Sequence, residues 1–296
     1  MRTLRTVAEL RAALAGARRE GRSIGLVPTM GYLHDGHLSL VRRAAADCDE
    51  VVVSLFVNPA QFNDPGDLDA YPRDEARDAE LAAAAGAGML FAPSAEEVYP
   101  PGFSTTVAIR GITETLEGAH RGVGHFDGVT TVVTKLLNMV GPDVAYFGQK
   151  DAQQALVVRK LVRDLDMPVR IDVAPTVREP DGLALSSRNV RLNRTNGSAV
   201  GAPRLRALAL SRALHAAEAA VAAGERDAAR VRAAALAAMK PYSVEPEYLE
   251  LVDTDTLAPV ETIDGEVLLA VAAQIGGVRL IDNTTLRSAP GGATLS

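Results

Sequence analysis

The sequence predicts an α/β fold: a doubly wound parallel sheet with a smaller C-terminal α+β domain. Two observations predict it. Short β-branched runs alternate with helical patterns through the first part of the chain, the order that builds a parallel sheet with right-handed crossovers. Beyond Thr176 the order changes to two alanine-rich helices followed by strands. At roughly 100–200 residues per domain, a chain of 296 residues divides into two, 1–176 and 177–296.

Val7 to Glu20 reads as a helix, because Val7, Leu10, Ala13, Leu14 and Ala17 recur near the 3.6 period. Ile24 to Pro28 is a short apolar run, as a strand buried on both faces requires. A polar loop through His37 then leads into a helix from Leu38 to Asp47. Glu50 to Val57 is a strand, Asn58 to Pro72 a long polar loop, Arg73 to Ala85 a helix and Gly88 to Ala92 a strand. Ser104 to Ile109 reads as a strand and Gly111 to Gly124 as a glycine-rich loop. Val129 to Val140 is a helix, Asp143 to Phe147 a strand, Ala152 to Asp166 a helix and Val169 to Val173 a strand. This alternation is Rossmann-like. In the second part, Arg204 to Ala223 and Asp227 to Met239 are helices joined at Gly224. Tyr248 to Val252, Glu266 to Ala273 and Val278 to Asp282 are strands, the last two joined by a turn at Gln274 to Gly277. Arg191 to Pro203 is polar, and Ser288 to Ser296 reads as a tail.

The composition is that of a globular protein, 47% hydrophobic and 23% charged, which excludes general disorder. A net charge of −6 argues against a nucleic-acid partner. No apolar run reaches the roughly 18 residues of a membrane span, so no membrane partner is expected. Met1 to Arg22 mixes Arg with Glu and lacks the apolar core of a secretion signal. Cys48 is the single cysteine, so there is no intrachain disulfide and no multi-cysteine zinc site. A reducing, cytoplasmic location is expected.

In an open α/β sheet, ligands bind where strands end and loops enter helices. Three loops are unusually polar. In His34-Asp35-Gly36-His37 the two histidines share one face of a first helical turn, and Gly36 lets a ligand approach the backbone. A helix N-terminus there suits phosphate; the alternative is a surface turn with chance histidines. In Phe147-Gly148-Gln149-Lys150-Asp151, Lys150 supplies a point charge for phosphate. Asp151 suits Mg²⁺ or a ribose hydroxyl, or only caps the next helix. In Leu185-Ser186-Ser187-Arg188-Asn189, two hydroxyls and a guanidinium suit a triphosphate, and equally an ordinary turn with a capping serine. A fourth stretch supplies Asn58 and Gln61, amides that read a small substrate's hydroxyls and carboxylate, as do Gln153 and Gln154. No G-x-G-x-x-G follows the first strand and there is no P-loop, which argues against a dinucleotide dehydrogenase.

Together these loops resemble the pantoate–β-alanine ligase (pantothenate synthetase) family of the HIGH-motif nucleotidyltransferase superfamily. The carrying segments are Pro28-Thr29-Met30-Gly31 with His34-Asp35-Gly36-His37, Phe56 to Phe62, His125-Phe126-Asp127-Gly128-Val129 with Thr134-Lys135-Leu136, Tyr146 to Gln154, and Leu185 to Asn189. The resemblance covers about Val27 to Asp282, and five motifs in this order and spacing are highly specific.

The resemblance implies a two-step reaction. Pantoate carboxylate attacks the α-phosphate of Mg²⁺-ATP, giving pantoyl adenylate and pyrophosphate. The β-alanine amine then attacks the acyl carbon, giving pantothenate and AMP. By matching position, Met30, Gly31, Tyr32, Leu33, His34, Asp35, Gly36 and His37 would line the ATP site. His37 would be the proton donor, with His34 assisting at the phosphates. Gly148, Gln149, Lys150 and Asp151 would hold ribose and phosphates, and Val177 with Leu185, Ser186, Ser187 and Arg188 would close over the nucleotide. Lys150, Ser186, Ser187 and Arg188 would join the histidines in countering the charge of the transition state. Asn58, Gln61, His125 and Gln154 would meet the substrates, Gln61 and Gln154 at pantoate and His125 near the β-alanine site. The metal ligands stay unassigned, and a homodimer is implied. The first domain would bind nucleotide and pantoate, and the second, with the Asn58–Pro72 loop, would act as a lid.

Three positions depart from the family pattern. Gln149 stands where Glu is usual, Asp127 stands where Arg is usual, and the stretch Glu117 to His125 is one residue longer, which displaces an Arg to Arg121. Competing readings are another HIGH-type nucleotidyltransferase acting on a phosphate, a class I tRNA synthetase, and a nucleotide-sensing module. A sensor predicts loss of the histidines or the lysine, and His34, His37 and Lys150 are all present.

Overall fold

The computed structural model describes residues 1–62, 65–193 and 202–288. The chain forms two compact units, Met1–Thr176 and Val177–Ser296. The first holds β1 (Arg2–Leu4), α1 (Val7–Arg19), β2 (Ile24–Thr29), α2 (Asp35–Asp47), β3 (Glu50–Leu55), α3 (Pro65–Asp69), α4 (Glu75–Ala84), β4 (Met89–Phe91) and α5 (Ala95–Val98). It continues with α6 (Glu117–Arg121), α7 (Val123–Val140), β5 (Val144–Gly148), α8 (Ala152–Asp164) and β6 (Arg170–Ala174). Its six strands run in the order β1-β4-β3-β2-β5-β6, and every pairing is parallel.

Because side chains alternate across a strand, each strand feeds two apolar layers. Val27, Val51, Val53, Leu90 and Tyr146 pack with Leu38, Val41 and Ala44 of α2 and Ala82 of α4. On the other face α7 packs against β2, α1 and α8. Thr6 and Glu9 cap α1 reciprocally: the Glu9 N–H donates to Thr6 Oγ1 at 3.1 Å and the Thr6 N–H to Glu9 Oε2 at 3.0 Å.

The strand order reverses direction between β2 and β5, with β3, β4 and β1 on one side and β6 on the other. Such a switch point opens a crevice at the carboxyl ends of its two strands. The loop after β2 carries Met30 to His37, and the turn after β5 carries Gln149 to Asp151.

The second unit holds α9 (Ala202–Ala222), α10 (Ala228–Met239), β7 (Tyr248–Asp253), β8 (Glu266–Ile275) and β9 (Val278–Arg287). The strands form an antiparallel sheet in the order β7-β8-β9. Leu249, Leu251, Val267, Leu269 and Val271 pack with Leu210, Leu214, Val231 and Ala235 of the helices. The β8–β9 turn is Gly276-Gly277, both at positive φ (58° and 78°), as a two-residue hairpin of matching twist demands.

Several elements differ from the sequence expectation. Ser104 to Ile109 is no strand: its backbone is tied to the hydroxyls of α7, with the Val107 N–H donating to Thr131 Oγ1 at 3.0 Å and Thr130 Oγ1 donating to Val107 O. The expected loop from Gly111 to Gly124 contains α6. Helix α7 starts at Val123 rather than Val129, and includes Gly128. That glycine is there for contact, since a Cβ would lie 2.2 Å from Ala60 O. The Asn58–Pro72 loop contains a turn at Pro59–Gln61 as well as α3. Strand β1 was not expected, and β9 runs on to Arg287. Much of the Arg191–Pro203 stretch, and the tail beyond Ser288, lie outside the described residues.

Candidate active site

The loop after β2 is shaped by backbone constraints and one buried carboxylate. Gly31 (φ 89°) and Tyr32 (φ 53°) both take left-handed conformations. A Cβ on Gly31 would lie 2.9 Å from Leu55 Cδ1 and 3.0 Å from Asp78 Oδ2. Asp78 is 1% exposed and accepts the N–H groups of Tyr32 and Leu33, each at 2.7 Å. Arg77, next to it on α4, sits over the Tyr32 ring at 5.3 Å.

His34 and His37 occupy the N-terminus of α2, their ring centroids 4.1 Å apart. His34 Nδ1 accepts the Gly36 N–H at 3.2 Å, and His37 Nδ1 accepts the His34 N–H at 3.4 Å. In the neutral form each ring therefore carries its proton on Nε2. Burial pushes His34 down to about 4, with Lys150 adding to the shift. Burial pushes His37 to about 3, with His34 and Lys150 adding. His37 keeps some exposed surface, yet is densely surrounded by protein atoms. Both rings are neutral donors at pH 7, at a helix end whose dipole favours anions.

Lys150 reaches this pair from the far side of the switch point, its Nζ 3.5 Å from Asp151 Oδ1. Asp151 stands at the N-cap position of α8, but its side chain makes no capping hydrogen bond. The plain capping reading of Asp151 therefore fails.

Asn58 is 1% exposed and its amide is fully engaged. Nδ2 donates to Gln61 Oε1 and to Gly128 O, both at 3.1 Å. Oδ1 accepts the Ala60 N–H at 3.3 Å and the Tyr99 hydroxyl at 2.8 Å. Gln61 is thereby oriented, and its Nε2 lies 3.1 Å from Met30 Sδ. His125 Nδ1 is 2.9 Å from Gln61 O. A carbonyl only accepts, so here the proton sits on Nδ1 and the lone pair on Nε2, the opposite tautomer to His34 and His37. Burial lowers the pKa of His125 and keeps it neutral. Gln154 is half-buried, and its side chain makes no hydrogen bond among the described residues. Gln153, expected to read substrate, instead bonds three backbone groups of the Ile112–Glu117 turn.

In the second unit, Val177 to Leu185 form a short hairpin. The Leu185 N–H donates to Val177 O at 3.0 Å, and Arg178 bridges to Ala184. Arg178 grips buried Asp282 with two bonds, at 2.7 and 3.0 Å. Arg204 pairs with Glu179 at 2.7 Å and Asp181 at 2.5 Å. Asn189 Nδ2 donates to Glu179 Oε1 at 2.8 Å and to Ala184 O at 3.0 Å. The Ser186–Arg188 turn is carried on this framework, with the Arg188 N–H donating to Ser186 Oγ at 3.2 Å.

A family model described as Pantoate-beta-alanine ligase matches residues 2–285. The chain belongs to the pantoate–β-alanine ligase family. Pantothenate synthetase of Moorella thermoacetica is 54% identical over 290 residues, which are 97% of this chain and 99% of that protein. The enzyme of the same name from Cereibacter sphaeroides is 55% identical over 283 residues, 95% of this chain and 98% of that protein. The crystal structure of pantothenate synthetase from Thermus thermophilus superposes with a TM-score of 0.88 at 46% identity, covering 96% of this chain and 99% of that one. That of pantoate-beta-alanine ligase from Francisella tularensis, complexed with beta-gamma ATP and beta-alanine, gives 0.76 at 32% identity, covering 96% and 97%.

Membership makes the chain an enzyme, a ligase joining pantoate to β-alanine. Within the first unit of this ligase, the expected residues Met30 to His37, Asn58, Gln61, His125, Lys150 and Asp151 are linked by contact or electrostatic influence. Val177 and Leu185 to Arg188 belong to the second unit. At the family's variant positions, Asp127 pairs with Arg110 at 3.0 Å and Arg121 with Glu117 at 3.0 Å. Sequence reading missed Asp78, Tyr99 and the Arg178–Asp282 pair. An isolated Asp or Arg far along the chain from the motif it supports gives no local signal.

Proposed function

We propose that this ligase condenses pantoate with β-alanine in two steps at the carboxyl ends of β2 and β5, using ATP. A pantoate carboxylate oxygen attacks the α-phosphorus; the bond to the β-phosphate oxygen breaks and pyrophosphate leaves. The β-alanine amine then attacks the acyl carbon, expels AMP with the bridging oxygen, and loses a proton to leave the amide of pantothenate. The observation that carries this reading is the matched set of ring protons at the switch point. His34 and His37 offer Nε2–H donors at a helix N-terminus, with Lys150 opposite.

Attack of one anion on another requires neutralised charge and held geometry. Met30 to His37 line the nucleotide, and His34 and His37 donate to phosphate oxygens as charge builds. Lys150 adds a full positive charge, and Gly148, Gln149 and Asp151 complete the ribose and phosphate side. Gln61 and Gln154 hold pantoate, with Asn58 fixing Gln61. The His125 Nε2 lone pair accepts from the β-alanine amine. Ser186, Ser187 and Arg188, with Val177 and Leu185, are the second unit's residues assigned to the nucleotide, where they counter phosphate charge.

Mg²⁺ fits a site of this kind, because it takes phosphate oxygens and water with only one or two carboxylates. Among the described residues no group of three or more His, Cys, Asp or Glu could hold a metal alone, and Asp151, beside Lys150, suits either Mg²⁺ or a ribose hydroxyl. When bound, it neutralises phosphate charge. The enzyme is read as a cytoplasmic homodimer. The single cysteine supports the compartment, and the family resemblance supports the dimer. No helix among the described residues is long and apolar enough to cross a membrane.

Pantoate labelled with ¹⁸O in its carboxylate tests the route. The proposal requires one label in the phosphate of AMP. Unlabelled AMP, formed alongside labelled pantothenate, contradicts it.

A further inference from the structure

Gln153 is 5% exposed and lies in the first turn of α8. Its Oε1 accepts the Glu117 N–H at 2.9 Å, and its Nε2 donates to Ile112 O at 2.7 Å and Thr115 O at 2.8 Å. One side chain thus satisfies three backbone groups of a single turn. The same turn holds Leu116 at φ 47° and ψ −118°, a backbone state that a residue with a Cβ adopts only when its surroundings enforce it. The turn is also tightly seated. A Cβ on Gly118 would lie 1.8 Å from Thr113 O and 3.4 Å from the Phe126 ring. Phe126 adjoins His125, their ring centroids 5.1 Å apart, and the His125 N–H donates to Gly122 O at 3.2 Å.

From this geometry we infer that Gln153 is a positioning residue for the second half of the reaction. It clamps the Ile112–Glu117 turn in its strained form, and the turn sets the start of α7 that carries His125. The inference rests on the role proposed for His125 at the β-alanine amine. The two adjacent glutamines then differ by helical phase, roughly 100° apart. Gln154 serves pantoate, and Gln153 holds the loop. Loss of the clamp selectively impairs amide formation, because the side chains assigned to ATP and pantoate lie outside the Ile112–Glu117 turn and make none of its clamp bonds.

Gln153→Met tests this, since it keeps the side-chain length and removes every hydrogen bond. Pyrophosphate release with ATP, Mg²⁺ and pantoate alone is expected to stay within about threefold of the unsubstituted enzyme. Turnover with β-alanine, read as kcat/KM, is expected to fall roughly 10–100-fold. Adding Leu116→Gly restores most of that loss, because glycine takes positive φ without a clamp. Hydrogen exchange gives a readout independent of activity: amides of residues 112–118 lose protection while those of α8 keep it. Equal loss in both half-reactions, no loss, or unchanged exchange would each overturn the inference. If the unsubstituted protein released no pyrophosphate from pantoate, the reaction itself would be misread, and hydrogen exchange would still decide the clamp. Should Gln153→Met not fold, Gln153→Glu keeps the acceptor for Glu117 and sets an oxygen against two carbonyls, with the same expected outcomes.

Discussion

His34 and His37 are paired by the backbone before any ligand arrives, and this decides their chemistry. With Nδ1 engaged, each presents an Nε2–H, and with burial dominant neither is charged at pH 7. His37→Ala and Lys150→Ala are each expected to lower kcat by about 10²–10³, or roughly 3–4 kcal/mol of transition-state stabilisation. Circular dichroism should show both variants folded; near-normal turnover would remove them from the mechanism. The same burial has a pH consequence. The unfolded chain takes up protons on these rings near pH 6.5, while the folded rings resist until about 4 and 3. Their contribution to stability is full above pH 6.5 and declines as pH falls below it. Thermal midpoints measured from pH 7 to 5 should drop, and the drop should be shallower in a His34→Gln, His37→Gln double variant. Equal slopes would contradict the assignment.

At the scale of elements, α7 carries the most information about how site and fold share residues. Its Gly128 lets the Asn58–Gln61 turn press against the helix, and the same residue's carbonyl accepts the Asn58 amide. Gly128→Ala is expected to destabilise the protein by about 3 kcal/mol, the upper range for overpacking, visible as a lower urea midpoint. An unchanged midpoint would mean that the turn can retreat. This helix also shows what the sequence conceals. Gly128 reads locally as a helix breaker, so the helix expected from the sequence begins just after it and lacks the turn bearing His125. Strands β2 to β6 were legible as short apolar or β-branched runs alternating with helical patterns, whereas β1 is only Arg2-Thr3-Leu4 and carries no such run. Ser104 to Ile109 is as rich in β-branched residues, but its partners are threonine hydroxyls that local patterning does not reveal. The motif histidines, Lys150 and Gln61 were legible because they follow strands. Asp78 lies 46 positions from Tyr32 and supports it only through folding. Gln153 and Gln154 share one residue type, and only their helical phase separates a loop clamp from a candidate substrate ligand.

At the scale of the whole molecule, the proposed function divides labour in time. The donors at the β2–β5 switch point first make an adenylate, and the His125 side then consumes it. Rapid-quench measurement of pyrophosphate tests this most directly, with enzyme, ATP, Mg²⁺ and pantoate mixed first and β-alanine added last. About one equivalent of pyrophosphate per active site is expected before β-alanine is present, then AMP and steady turnover once it is added. Pyrophosphate appearing only together with AMP after β-alanine, from folded enzyme that binds ATP, would contradict a separate adenylation step.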